Sequence, residues 1–489
     1  MSGEVVNGES MKSTRIRASL RRGAVALLVV FTVAASDGGA FLGAEELDFS
    51  LSNTTGVRSN SGDASGARLA QENRLDTSLR WDPTRSLRIR ASGFVSVRTD
   101  FADGAAVGGD LRTLVLEGEY PVASQEVQTR AQDRAQDQES ARGAEVPPRP
   151  GRAFARSPVF GFSVGRQPLS EFSGFVMDTH VDGVALSYTS PRVDVSAAGG
   201  YVGLQLRNAN TLQGAPTEMA DADNPFAPSR ALGRLSIAFP EILSRQSILL
   251  TGIGQYDMPE LATAGQAAAE ETGRYHSMHI GTGVTGPISR QLFYTLFGYY
   301  YRPWVGIPSD TLESGNGFAG GGSVRYYVEE LAYSSIQLRG AIASGDDERR
   351  TRVGAEGDDS GHFVPITDPV VNELLNVAFT NVWLGEVSYS FRPFAPDFPS
   401  NTGLRIQIGV QALGRPAAGP GSVTDLDPEA PAGYLGTAAN AEIRYRPTSD
   451  LTVSVTGSSL SPSDPAVTGG LLPSDRPLFR AALEARIAF

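Results

Sequence analysis

The sequence predicts an all-β fold: a transmembrane antiparallel up-and-down β-barrel of about 18 strands, with 16 as the alternative count. Three observations carry this. Apolar and polar residues alternate with period two, in segments of roughly ten residues, from residue 45 to the end of the chain. The connections between segments are short and long by turns. Six of the segments close on an aromatic residue, and proline follows within three residues.

The first 44 residues stand apart. Lys12, Arg15, Arg17, Arg21 and Arg22 precede the apolar run Ala24–Ala35, and small residues follow. This is the order of a secretory signal peptide. The run is too short for a spanning helix, which needs about 20 residues. Cleavage is expected after Ala35, Ala40 or Ala44, with Met11 as an alternative start. Residues 45–489 are then the barrel.

The chain has 489 residues, no Cys and a net charge of −12. Disulfides and thiolate metal sites are excluded. The leader is net basic, so the surplus of acid lies beyond it. An acidic chain lacks the basic footprint of a nucleic-acid binder. The only Lys is Lys12, and every other cation is Arg.

Along the chain the clearest alternating segments are Leu75–Trp81, Ser86–Arg98, Val181–Tyr188, Arg192–Gly203, Ser335–Ala343, Gly403–Ala412, Asp450–Val455 and Pro477–Phe489. Weaker ones fill the intervals. Short connections are expected after Trp81, Thr189, Phe239, Thr285, Tyr327, Phe391 and Tyr445. Long ones are expected at Asn53–Glu72, Gln205–Arg230, Pro259–Thr272, Arg302–Gly317, Ser344–Thr380, Gly414–Gly433 and Ser458–Arg476. Short turns on one side and long loops on the other are the habit of membrane barrels. One connection on the short side breaks the rule. Residues 122–156 contain TRAQDRAQDQ and a closing PPRP. This polar stretch cannot bury enough apolar area to offset its ordering entropy, so it reads as a disordered periplasmic insertion.

Trp81, Tyr120, Tyr188, Phe239, Phe391 and Tyr445 each stand just before a proline-containing turn, in the apolar register of their strands. Aromatic rings favour a membrane interface, and proline suits a turn because it has no N–H for the ladder to lose. Phe489 reads as one more member of this girdle, with no turn to follow. A final alternating strand ending in Phe resembles that of bacterial outer-membrane barrels. The resemblance implies an outer-membrane location and recognition by the barrel assembly machinery. The stretch Val164–Leu186 (VGRQPLSEFSGFVMDTHVDGVAL) also resembles a Gly-Arg-Gln…Asp-Gly segment of large porin-like and alginate-export-type barrels.

Charges on the lipid face of a barrel cost about 2–4 kcal/mol at the midplane, so strand charges are expected to point into the lumen. Alternation then assigns Arg74, Arg80, Arg88, Arg90, Arg98, Arg234, Arg325, Arg339, Arg405, Arg444, Arg480 and Arg486 to the pore lining. Glu117, Glu119, Glu386 and Glu442 join them, with Asp76, Asp194 and Glu484. Arginines outnumber carboxylates, and such a wall favours anionic solutes. The competing reading is that these arginines pair with wall carboxylates and hold the barrel's shape. A barrel this wide is not filled by wall side chains. The apolar stretch Val370–Phe379, inside the longest loop, is therefore expected to fold inward and narrow the lumen.

The four His residues have no metal-ligand spacing, and no phosphate-binding glycine loop opens a helix. No enzyme activity, cofactor or metal is expected. The sequence reads as a porin-like channel for small hydrophilic solutes in the outer membrane, in contact with its lipid. The alternative is a closed barrel that displays its loops as an adhesin or scaffold.

Overall fold

The computed structural model describes the strands and most of the turns from Leu47 to Ala488. Residues 1–46, 61–67, 101–103, 122–157, 207–211, 213–225, 259–273, 307–311, 346–361, 395–402, 418–432, 463–477 and 489, with scattered positions in other connections, lie outside the described residues. The signal-peptide assignment, the 122–156 insertion and Phe489 fall among these.

Nineteen strands follow one another. The first six are β1 (Leu47–Asn60), β2 (Arg68–Thr84), β3 (Leu87–Asp100), β4 (Gly104–Pro121), β5 (Val159–Ser170) and β6 (Asp178–Thr189). Next come β7 (Asp194–Tyr201), β8 (Arg230–Leu243), β9 (Gln246–Asp257), β10 (Arg274–Pro287), β11 (Leu292–Gly306) and β12 (Leu312–Ser314). The last seven are β13 (Gly317–Val328), β14 (Ser334–Ala343), β15 (Val382–Phe391), β16 (Arg405–Arg415), β17 (Gly433–Tyr445), β18 (Leu451–Pro462) and β19 (Leu478–Ala488). Each strand but the short β12 pairs antiparallel with the strands before and after it in the wall. The ring closes where β1 meets β19, from Ser52 opposite Ala488 to Asn60 opposite Arg480. Closure leaves no free sheet edge between first and last strand.

The short β12 is not a stave of the wall. It pairs only with Trp304–Gly306 at the end of β11, and β11 then pairs with β13. The wall therefore has the expected number of strands, and β12 is a small ribbon in a connection read from sequence as loop. Several boundaries also differ from expectation: β11 runs to Gly306 and β18 to Pro462, past the expected loop starts at Arg302 and Ser458. β1 runs on to Asn60 and β2 starts at Arg68, where a loop was expected over Asn53–Glu72. The chain there still pairs, because the ladder is made by backbone N–H and C=O groups whatever the side chain. β8 continues through Pro240 to Leu243, with an irregular register between Phe239 and Leu243. Glu241 and Arg245 take positive φ values of 56° and 72° to make that tight end.

One sheet face is apolar and open. Leu114, Leu235, Ile280, Leu296, Leu338, Val410 and Leu483 are each 49–54% exposed. In water this band would be an aggregation surface; in hydrocarbon each half-exposed side chain gains about half of the ~1.5–3 kcal/mol of full burial. The other face is polar toward the short turns and apolar toward the long loops. In that second half the wall side chains Leu232, Ile253, Tyr299, Tyr301, Leu384 and Leu413 are buried against Phe175, Met177, Phe363, Ile366 and Phe379, which come from two connections. The core of this protein thus lies inside the barrel, made by loops that turn inward.

Candidate functional site: the narrowed lumen

The first inward segment is the end of the β5–β6 hairpin. β5 stops pairing with β4 at Arg166 opposite Leu114. β6 stops pairing with β7 at Asp182 opposite Tyr201. Between themselves β5 and β6 stay paired up to Ser170 opposite Asp178. Residues 167–181 therefore leave the wall together, and Leu169, Phe175, Val176, Met177 and Val181 become buried in the lumen.

The neck of this hairpin is built from the Gly-Arg-Gln…Asp-Gly stretch. Gly165 has φ +123°, and a Cβ there would lie 2.1 Å from the Leu114 carbonyl oxygen, so only glycine fits. Arg166 then grips Asp182 with two parallel bonds, Nε to Oδ1 and Nη2 to Oδ2, both 2.8 Å. It also donates to the carbonyls of Leu111 at 3.1 Å and Leu204 at 3.3 Å. The fork satisfies backbone groups that lost their ladder partners where the strands diverge. Sequence reasoning did not assign a role to Arg166 or Asp182; the signal was their place in that stretch.

The hairpin tip is pinned from inside. Glu171 is buried and accepts from the Ser173 hydroxyl at 2.7 Å, from the Val176 amide at 3.0 Å and from the Tyr299 hydroxyl. Arg234 donates to the Ser170 carbonyl, and Arg339 stacks over the Phe175 ring at 4.6 Å. Phe172 lies against Gly283, where a Cβ would sit 2.5 Å from the ring; glycine in the wall is what admits it.

The second inward segment is the β14–β15 connection. The Ile366 and Thr367 amides both donate to the Val176 carbonyl, at 2.8 and 3.1 Å. The Asp178 amide donates to the Thr367 hydroxyl at 2.9 Å, and His279 Nε2 donates to the Val364 carbonyl at 2.9 Å. Within the apolar stretch 370–379, Val371, Asn372, Leu374 and Phe379 are described, and all lie inside the barrel. Asn372 donates its side-chain amide to Gln411 Oε1 at 2.8 Å, and Gln411 donates back to the Val371 carbonyl at 3.1 Å. A gap of about 240 Å³ remains between this segment and the wall. Its lining includes Glu386, Gln407, Gln411, Asn440, Glu442 and Ser458 from β15 to β18.

The arginines assigned by alternation occupy varied settings. On β2 to β4 they are mostly paired: Arg74 with Asp76 at 2.9 Å, Arg80 and Arg88 with Asp82 at 2.7 and 3.0 Å, and Arg90 with Glu117. Arg74 also covers the Phe94 ring at 3.9 Å. Arg98 stands opposite Glu72 in the register, and Glu119 opposite Gly161. Arg339 approaches Glu386 to 4.0 Å, and Arg444 bonds Glu442 at 2.6 Å. Arg325 and Arg405 donate instead to Gln337 and Gln407, at 2.7 and 3.1 Å. Arg480 stands opposite Ser458, and Arg486 opposite Thr452. The aromatics sit at the turn-side ends of their strands. Tyr120, Tyr188 and Tyr445 are exposed, while Trp81, Phe239 and Phe391 are half-buried. Arg230 and Asp257, a buried pair at 2.7 Å, were not foreseen: Arg230 was read as the end of a loop, and Asp257 lies at the very end of its strand.

A closed antiparallel barrel with an apolar exterior and loops folded into its lumen defines the porin-like class of outer-membrane β-barrel. Three solved structures show the same fold. Pseudomonas aeruginosa OccK5 (OpdH) matches with a TM-score of 0.53 and 12% identity, over 92% of this chain and 99% of that one. P. aeruginosa OccK7 (OpdD) matches with a TM-score of 0.51 and 12% identity, over 91% and 99%. The P. aeruginosa outer membrane protein opdK matches with a TM-score of 0.51 and 11% identity, over 92% and 100%. No family model and no curated relative matches the sequence.

Proposed function

We propose that this chain is an outer-membrane channel through which small hydrophilic solutes diffuse passively, anions ahead of cations. The observation that carries the reading is the polar gap of about 240 Å³ left beside the inward β14–β15 segment. The lumen is narrowed there, and amides, carboxylates and hydroxyls that can replace a solute's water face the gap beside the apolar Val371, Leu374 and Ala441. The anionic preference rests on arginines outnumbering carboxylates in the pore-lining assignment. Residues 1–44 serve as the export leader. The last strand serves the barrel assembly machinery, the outer face meets lipid, and the turn-side aromatics mark the interface. No catalytic role is assigned to any residue.

The test is current across a planar lipid bilayer holding the refolded mature chain under a KCl gradient. Discrete steps with a reversal potential of anion-selective sign are expected. Steps that favour K⁺ would keep the channel and overturn the anionic preference. The surface-display alternative draws on the apolar core that fills the loop-side half of the barrel. Silence from protein shown to be inserted and folded would favour it.

A further inference from the structure

At the turn-side end of the inner wall, β11 and β13–β16 border a second cavity of about 540 Å³. Four guanidinium groups line it: Arg290 from the β10–β11 turn, Arg325 from β13, Arg392 just after β15, and Arg405 at the start of β16. No acidic side chain is in its lining. Among the described residues, none of the four has a carboxylate within ion-pair distance, whereas Arg74, Arg80, Arg88 and Arg90 on the β2–β3 wall are all paired. Arg405 even stands opposite another arginine, Arg444, whose guanidinium is taken by Glu442.

Guanidinium stays ionised at any physiological pH, so these four charges cannot relieve one another by losing protons. Two of them are oriented by amide oxygens, Arg325 by Gln337 and Arg405 by Gln407. An amide oxygen fixes a guanidinium without neutralising it, which leaves the remaining N–H donors of the fork for a ligand. The cavity volume falls in the range of small-molecule sites, about 300–1,000 Å³. Ser335, Ser388 and Ser390 add hydroxyls on the same surface.

We infer that this cavity is a binding site for a multiply charged oxyanion carried on a hydroxyl-rich body, the chemistry of a sugar phosphate. The fork geometry of arginine matches phosphate oxygens two at a time, and the serine and glutamine side chains match hydroxyls. The site would hold a solute at the turn-side mouth after passage through the gap described above. As a step in permeation it rests on the channel reading; as a binding site it does not.

The experiment keeps these apart. Glucose 6-phosphate, glucose and inorganic phosphate are titrated by calorimetry against the folded mature chain in detergent, at low salt. The wild type is compared with R325Q/R405Q and with R192Q, an exposed arginine of the β6–β7 turn outside this cavity. Saturable binding of glucose 6-phosphate, at least tenfold weaker in R325Q/R405Q and unchanged in R192Q, is the expected result. Binding of inorganic phosphate with equal affinity would overturn the hydroxyl-rich part of the proposal. No binding by a wild type that conducts in bilayers would overturn the site and leave the channel. Binding by a wild type that is silent in bilayers would uphold the site and overturn the channel. Glu329, Glu330 and Asp397 belong to the adjoining connections, outside the described residues. Binding that appears only in E329Q/E330Q/D397N would show that the chain's own acids fill the cavity, and would overturn the inference.

Discussion

Arg166 shows how one residue can sit where its pattern forbids it. In β5, alternation puts Arg166 on the same side as Val164, an outward side chain 45% exposed. A charge there would face lipid, and sequence reasoning had no reason to give it a role. What alternation cannot show is that β4 and β7 let go of the hairpin at this level. With the neighbours gone, the guanidinium turns along the breach and meets Asp182, with the two side chains only 14% and 24% exposed. Removing one partner of such a pair strands the other, at a cost of about 3–5 kcal/mol when fully buried and less here. R166Q and D182N are each expected to destabilise the folded barrel by about 1–3 kcal/mol, and R166Q/D182N by less than the sum of the two. Urea unfolding in lipid vesicles measures this. Additive losses would mean that the pair is not coupled, and that Arg166 acts through Asp110, 3.9 Å away, and the Leu111 and Leu204 carbonyls.

At the scale of elements, the two inward segments were unequally legible. The stretch 370–379 announced itself, because a long apolar run has no place in an exposed loop. The tip Phe172–Met177 is as apolar but only a few residues long, and it follows a strand without interruption. A short apolar run after a strand reads as more strand. The difference lies in backbone pairing, which the hydrophobic pattern does not encode. The two segments hold each other through the Val176 carbonyl, which accepts from Ile366 and Thr367. Shortening the β14–β15 connection from 362–379 to a Gly-Ser linker is therefore expected to do two things. Single-channel conductance rises severalfold, and the β5–β6 tip loses hydrogen-exchange protection at Val176 and Asp178. A conductance unchanged by the deletion would show that the narrowing lies elsewhere. Retained protection would show that Glu171, Tyr299 and Arg234 suffice to hold the tip.

For the whole molecule, strand number and closure were written in loop parity and in the aromatic-proline ends, because both follow from having one face in lipid and one end at each membrane surface. Charge selectivity was not, because it depends on which inner charges are compensated. The gap of about 240 Å³ is lined by two carboxylates and by no arginine. Glu442 is held tightly by Arg444 at 2.6 Å, while among the described residues Glu386 has only Arg339 at 4.0 Å, and that guanidinium also lies over the Phe175 ring. Glu386 is thus the less neutralised charge at the narrow point, and it opposes the anionic preference set by the arginines around it. One unit charge a few ångströms from a permeating ion in water is worth about 1 kcal/mol. Its removal in E386Q is expected to raise the anion-to-cation permeability ratio by about fivefold at 0.1 M KCl or below. E442Q frees Arg444 and is expected to shift the ratio the same way. At 1 M KCl, where the screening length falls to about 3 Å, most of the E386Q shift should vanish. Reversal potentials of the two variants at both salt concentrations decide it. A shift toward cations would reverse the sign of the argument. No shift at either concentration would place the conducting path away from this gap.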